Sequence, residues 1–131
     1  MQSERVVVRN GPFKQIINDG VKIDGWIFLS GQLSVDANGQ IIGENDIAEQ
    51  VRVAYENVEL TLQSFGADMS HIVEETLFVT DIKGFLDRSS ELFSIRSTAY
   101  GAEPQVAQTL VQVVALGVSS AMIEIKCVAR L

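Results

Sequence analysis

A chain of 131 residues, 47% apolar and 21% charged, has material for one core and leaves no room for a second catalytic module. Its net charge of −7, with lysines and arginines scattered, opposes a nucleic-acid partner, and its one histidine, His71, and one cysteine, Cys127, are too few for a multi-histidine metal site or an internal disulfide. No apolar run approaches the roughly 20 residues of a membrane helix, and MQSERVVVRN lacks a signal-peptide pattern, so the reading is a cytoplasmic protein with no membrane partner.

In chain order, ERVVVRN and DGWIFLSGQL carry strand-forming residues, and VDANGQIIG holds an Asn-Gly pair suited to a tight turn. The period then changes. Ile47, Val51, Ala54, Val58, Leu62 and Phe65 recur every three or four residues and predict one apolar helix face, with Asp46 and Glu49 as a capping box and Gly66 as the stop. HIVEETLFVTDI returns to strand, and Phe85 to about Tyr100 reads as a second helix starting near Asp81 or Lys83 and ending at Gly101. QTLVQVVAL and AMIEIKCVARL read as two last strands, and the short GVSS linker between them predicts a closing hairpin. Right-handed crossovers place both helices on one face of a mixed sheet, giving an α+β two-layer sandwich.

Alternation along the strands sorts the side chains into faces. Thr109, Val111 and Val113, with Ile123, Ile125 and Cys127, are assigned to the helix layer; Gln108, Leu110 and Gln112, with Met122, Glu124, Lys126 and Val128, are assigned to the opposite face. Trp26, Phe28 and Ser30 share a face, as do Glu74, Thr76, Phe78 and Thr80, whereas Glu74 and Glu75 point apart. An uncovered face with Phe78, Leu110 and Met122 is more apolar than a soluble monomer tolerates, which predicts a homo-oligomer packed through its sheets. Ser30, Gln108 and Glu124 would gather in a cleft there, as a small-molecule site or as ordinary interface polarity. Other conspicuous residues have structural readings: His71 as a surface or capping residue, Cys127 as small core and Trp26 as a packing anchor.

The strings IFLSGQLSVDANGQIIG, QVRVAYENVELTLQSFGAD, HIVEETLFVTDIKGF and IEIKCVA resemble, in order and spacing, the RidA/YjgF reactive-intermediate deaminase family across nearly the whole chain. The resemblance implies a chorismate-mutase-like fold and a homotrimer whose sheets form a central barrel with clefts between subunits. It also implies hydrolysis of small enamines or imines to keto acids and ammonia with no metal or organic cofactor, and hence a small-molecule ligand. Ser30, Gly31 and Gln32 match the family's SGQ motif, and Glu124 matches the carboxylate that holds the catalytic water. Counting back from VQV and IEI, the family's carboxylate-clamping arginine falls on Gln108, its following cysteine or threonine on Leu110, its tyrosine on Phe13 and its helix asparagine on Ser89. With Gln108 in that place, a neutral amide offering hydrogen bonds of about 1 kcal/mol replaces charge-assisted ones of roughly 1.5–3 kcal/mol each, so 2-imino acids should bind poorly. Lys14 or Lys126 could supply a cation, though without the planar fork. Three functions are then open: a Rid-type hydrolase with altered substrate preference in which Glu124 and Gln108 act, a non-catalytic small-molecule-binding or regulatory trimer, and a ribonuclease. The acidic charge and the lack of a histidine pair oppose the third.

Overall fold

The computed structural model describes residues 4–131. Its elements run β1 (Val6–Val8), β2 (Gly20–Ile23), β3 (Trp26–Leu29), α1 (Ile47–Gln63), a 3-10 turn (Met69–His71), β4 (Ile72–Val79), α2 (Ile82–Asp87), α3 (Ser89–Tyr100), β5 (Ala107–Gln112) and β6 (Ile123–Arg130). The six strands form one mixed sheet in the order β1-β2-β3-β6-β4-β5, with only the β4–β5 pair parallel. The helices lie against one face, so the architecture is the α+β two-layer sandwich the sequence predicts.

Helix α1 begins where the Asp46 side chain accepts a hydrogen bond from the Glu49 N–H at 3.2 Å. This is one half of the expected capping box; the Glu49 carboxylate is turned to Arg52 instead. All six residues of the predicted apolar stripe are buried in the core, against Ile27, Leu29, Ile123, Ile125 and Cys127 of the sheet. Each buried aliphatic side chain of this kind stabilises the fold by about 1.5–3 kcal/mol relative to exposure. Beyond the helix, Gly66 takes φ +75° as the chain turns back.

Four expectations change. A strand goes unrecognised in the sequence: β2 is short, and it reaches β3 through Asp24 and Gly25 at φ 53° and 80°, a tight hairpin turn. The predicted second helix is two, broken at Arg88 (φ −111°, ψ 19°), and Asp81 caps the first through the Gly84 N–H. The closing hairpin does not form. The crossover through α2 and α3 sets β5 parallel beside β4, and β6 enters between β3 and β4, antiparallel to both.

The fourth is the face assignment of β5. Register pairs Glu75 with Gln108, Leu77 with Leu110 and Val79 with Gln112, and Glu75, Leu77 and Val79 are buried under the helices. Gln108 and Leu110 therefore face the helix layer, while Thr109 and Val111 face outward. Sorting by polarity fails here because a charged residue, Glu75, is buried on the helix side and draws the amide inward. Within β6 and β4 the assignment holds, with Ile123, Ile125 and Cys127 fully buried and Phe78 paired with Glu124 on the outer face; Met122, just before β6 and expected outward, instead packs on the core, where its N–H is held by the buried Gln50 of α1.

That outer face carries Trp26 and Phe28 at 40% and 45% exposure. Trp26 packs on the surface rather than in the core, with the Arg130 guanidinium 5.1 Å from its ring centre. His71 does cap: its Nδ1 accepts from the Asp68 N–H at 3.0 Å.

Candidate functional site

The segment after β3 leaves the sheet plane at Ser30 and rejoins it at Gln32, whose backbone N–H and C=O both bond to Ile125. This detour places Gly31 directly against Glu124. A Cβ on Gly31 would stand 2.5 Å from the Glu124 Cδ, so only glycine allows the approach. The Ser30 hydroxyl donates to the Asn18 carbonyl at 2.6 Å, which leaves its lone pairs as acceptors, and the Gln32 amide donates to the Ser30 carbonyl at 3.0 Å. Among the described residues the Gly31 N–H has no acceptor and Glu124 no hydrogen-bond donor.

These groups open into a cavity of about 430 Å³ whose apolar wall includes Phe13, Ile16, Ile17, Leu33 and Val118. The volume lies in the range of small-molecule sites. Burial raises the Glu124 carboxyl above its ordinary value, and Lys126 on the same strand partly opposes the shift. Lys126 itself donates to the Leu29 carbonyl at 2.8 Å.

Three supports hold the walls, none of them singled out in the sequence. Asp19 accepts the N–H groups of Asn10 and Gly11 at 2.5 and 2.8 Å, pinning the loop that carries Phe13. The Asn57 amide of α1 donates to the Leu33 and Val35 carbonyls at 2.8 and 3.1 Å, fixing the segment after Gln32. Gln50, fully buried, donates to the Gly43 and Ser120 carbonyls and accepts from the Met122 N–H, which ties the loop before β6 to the helix. Polar residues on the buried side of an amphipathic helix, as Gln50 is, are the sequence signal that could have found such ties.

Of the eight residues predicted for the site, five meet in this cavity: Phe13, Ser30, Gly31, Gln32 and Glu124. The other three lie elsewhere. Ser89 opens α3, Leu110 packs on the core, and Gln108 belongs to a second polar cluster in the helix layer. There the Glu75 carboxylate, with no exposed surface, accepts from Tyr55 and Tyr100 hydroxyls at 2.8 and 2.7 Å, Arg96 Nε at 2.6 Å and Gln108 Nε2 at 2.7 Å. Burial, then the charge of Glu75, pushes the Tyr55 hydroxyl far above the ordinary phenol range. For Arg96, burial pulls downward, but the Glu75 carboxylate together with the Tyr55 and Tyr100 hydroxyls outweighs it, leaving the guanidinium raised. Among the described residues no cluster of histidine, cysteine and carboxylate side chains could hold a metal ion.

A six-stranded mixed sheet, helices on one face, and a glycine-pressed carboxylate lining a cavity define a class of small α+β proteins. The family described as endoribonuclease L-PSP matches residues 11–131, and the chain belongs to it, the RidA/YjgF family. A RutC family protein of Pyrococcus abyssi is 30% identical over 79% of this chain and 74% of its own length. The chloroplastic Reactive Intermediate Deaminase A of Arabidopsis thaliana is 30% identical over all of this chain and 65% of its own. Among solved structures, a conserved Rid family protein of unknown function from Yersinia pestis superposes with a TM-score of 0.84 at 26% identity, covering 98% of this chain and 100% of that one.

Proposed function

We propose that the protein is a Rid-type hydrolase that converts small reactive enamines or imines to carbonyl compounds and ammonia, in the cavity beside Glu124. The observation that carries the reading is the Glu124 carboxylate, raised by burial, pressed against Gly31 and free of hydrogen-bond donors among the described residues. A carboxylate so placed can order a water and move its protons. As the water oxygen bonds to the imine carbon, Glu124 carries a proton from oxygen to nitrogen, giving a carbinolamine. In the second half it carries the remaining hydroxyl proton to nitrogen, the C–N bond breaks, and the carbonyl compound and ammonia leave. The Gly31 N–H and the Ser30 and Gln32 side chains orient the substrate, and Phe13 covers it; orientation itself supplies much of the acceleration. The relative from Arabidopsis named as a reactive intermediate deaminase supports the reaction class.

The working form is a cytoplasmic homotrimer. The exposed Trp26 and Phe28 on the outer sheet face favour burial against further copies, which would bring the cavity mouth to a subunit boundary. A monomer in light scattering at micromolar concentration would contradict that assembly.

A second reading, a non-catalytic binding trimer, draws on the outward positions of β5: Thr109 and Val111, beside Phe78 and Glu124, supply no cation. One assay separates the two. Ammonia release from a small imine generated in situ should accelerate with the wild-type protein and return to the spontaneous rate with Glu124→Gln; saturable binding without acceleration favours the binder.

A further inference from the structure

We infer that the Glu124 cavity selects uncharged or cationic ligands bearing a small apolar substituent and rejects carboxylates. This deepens the reading above in that it takes the same cavity as the ligand site. The charge of the lining is one-sided. Its ionisable side chains are Glu124 and Asp19, and no lysine or arginine lines it. Of the basic groups on the neighbouring segments, Lys126 donates to the Leu29 carbonyl and Arg9 to the carbonyls of Lys14 and Gln15, and the exposed Lys14 lies outside the lining. Arg96 is committed to Glu75 on the other side of the sheet, together with the Gln108 amide.

An anionic ligand would therefore approach a half-buried carboxylate with no cation in the lining, Lys126 nearby being held on the Leu29 carbonyl, and repulsion across a partly desolvated site is poorly screened by salt. An uncharged imine or amide meets complementary groups instead, and a cationic amidinium meets the Glu124 charge. The neutral ligand's N–H can donate to Glu124 and Ser30, and its acceptor atom can take the Gly31 N–H. The alkyl part lies on Phe13, Ile16, Ile17, Leu33 and Val118. Size follows from the same wall, since about 430 Å³ admits a branched chain or single ring but no nucleotide chain.

Three probes of one shape test this on the full chain: isobutyramide, isobutyrate and isobutyramidine, titrated at pH 8 while the Gly31 amide resonance is followed by NMR. The amide and the amidinium should each shift that resonance saturably, with Kd at least tenfold below that of isobutyrate. In Glu124→Gln the gap between amide and acid should shrink to less than threefold. Isobutyrate binding as tightly as isobutyramide, or no saturable shift with either neutral or cationic probe, would overturn the inference. The hydrolase reading fails separately: if no imine is hydrolysed faster but the probes keep this ranking, the selectivity stands and the catalysis does not. If imines are hydrolysed and isobutyrate binds best, the reverse holds.

Discussion

Glu75 on β4 and Glu124 on β6 sit on adjacent strands of one sheet, with opposite surroundings. Glu75 points into the helix layer, is fully buried, and accepts hydrogen bonds from Tyr55, Tyr100, Arg96 and Gln108. Glu124 points outward, is half-buried, and has no donor among the described residues; its pKa is raised by burial. The difference separates two uses of a carboxylate. One whose lone pairs are all engaged holds elements together, here α1, α3, β4 and β5, and has nothing left for a substrate. One held close to a backbone without donors stays reactive, at some expense in stability.

The largest expected effect comes from dismantling the first arrangement. Glu75→Gln leaves the half-buried Arg96 without its counter-charge and should lower unfolding free energy, by up to about 3 kcal/mol, in a denaturant titration. Glu124→Gln should do the opposite: hydrolysis of a small imine falls by about a hundredfold or more, the usual contribution of a positioned acid-base group, while the fold is retained. Gly31→Ala puts a methyl where the Glu124 carboxylate stands and should slow turnover by up to about a hundredfold by displacing it. Gln108→Leu removes one donor from Glu75 and should cost about 1.5–3 kcal/mol of stability with turnover within threefold of wild type.

The smallest effect is one of sign. Because the folded Glu124 pKa lies above its unfolded value, the native state holds that proton more tightly. Its contribution is then most favourable below the unfolded pKa and is lost as pH rises through the folded one. At pH 7 Glu124→Gln should therefore have a slightly higher unfolding midpoint than wild type, a difference that vanishes in acid. Turnover by the wild type should fall as pH drops through the raised pKa, since only the ionised form accepts a proton.

Much of this arrangement was legible in the sequence, and the reasons are local. The 3.6-residue stripe from Ile47 to Phe65 predicts α1 because one apolar face can be satisfied only as a helix against a sheet. Alternation alone singles out Ser30 and Glu124 as polar groups on the outer face, and Gly31 and Gln32 are readable only through the resemblance of their SGQ run to the family's motif. The order of the last strands was not legible: a short linker favours a hairpin, whereas β6 enters between β3 and β4 and packs under α1. Nor was the side to which Gln108 points, since alternation gives two faces but the choice between them rests on Glu75, Arg96 and the two tyrosines meeting in three dimensions. Asp19 and Asn57 went unnoticed because their targets are backbone groups, which sequence patterns do not mark.

The assignment of function to Glu124 and of architecture to Gln108 is tested most directly by one pair of variants in one assay. The initial rate of ammonia release from a small N-unsubstituted imine, corrected for spontaneous hydrolysis, is compared for wild type, Glu124→Gln and Gln108→Leu, with each variant's unfolding midpoint measured alongside. A rate reduced about a hundredfold or more in Glu124→Gln at an undiminished midpoint, with a rate within threefold of wild type and a lowered midpoint in Gln108→Leu, is the predicted result. Loss of turnover in Gln108→Leu with an unchanged midpoint, and turnover retained in Glu124→Gln, would contradict it.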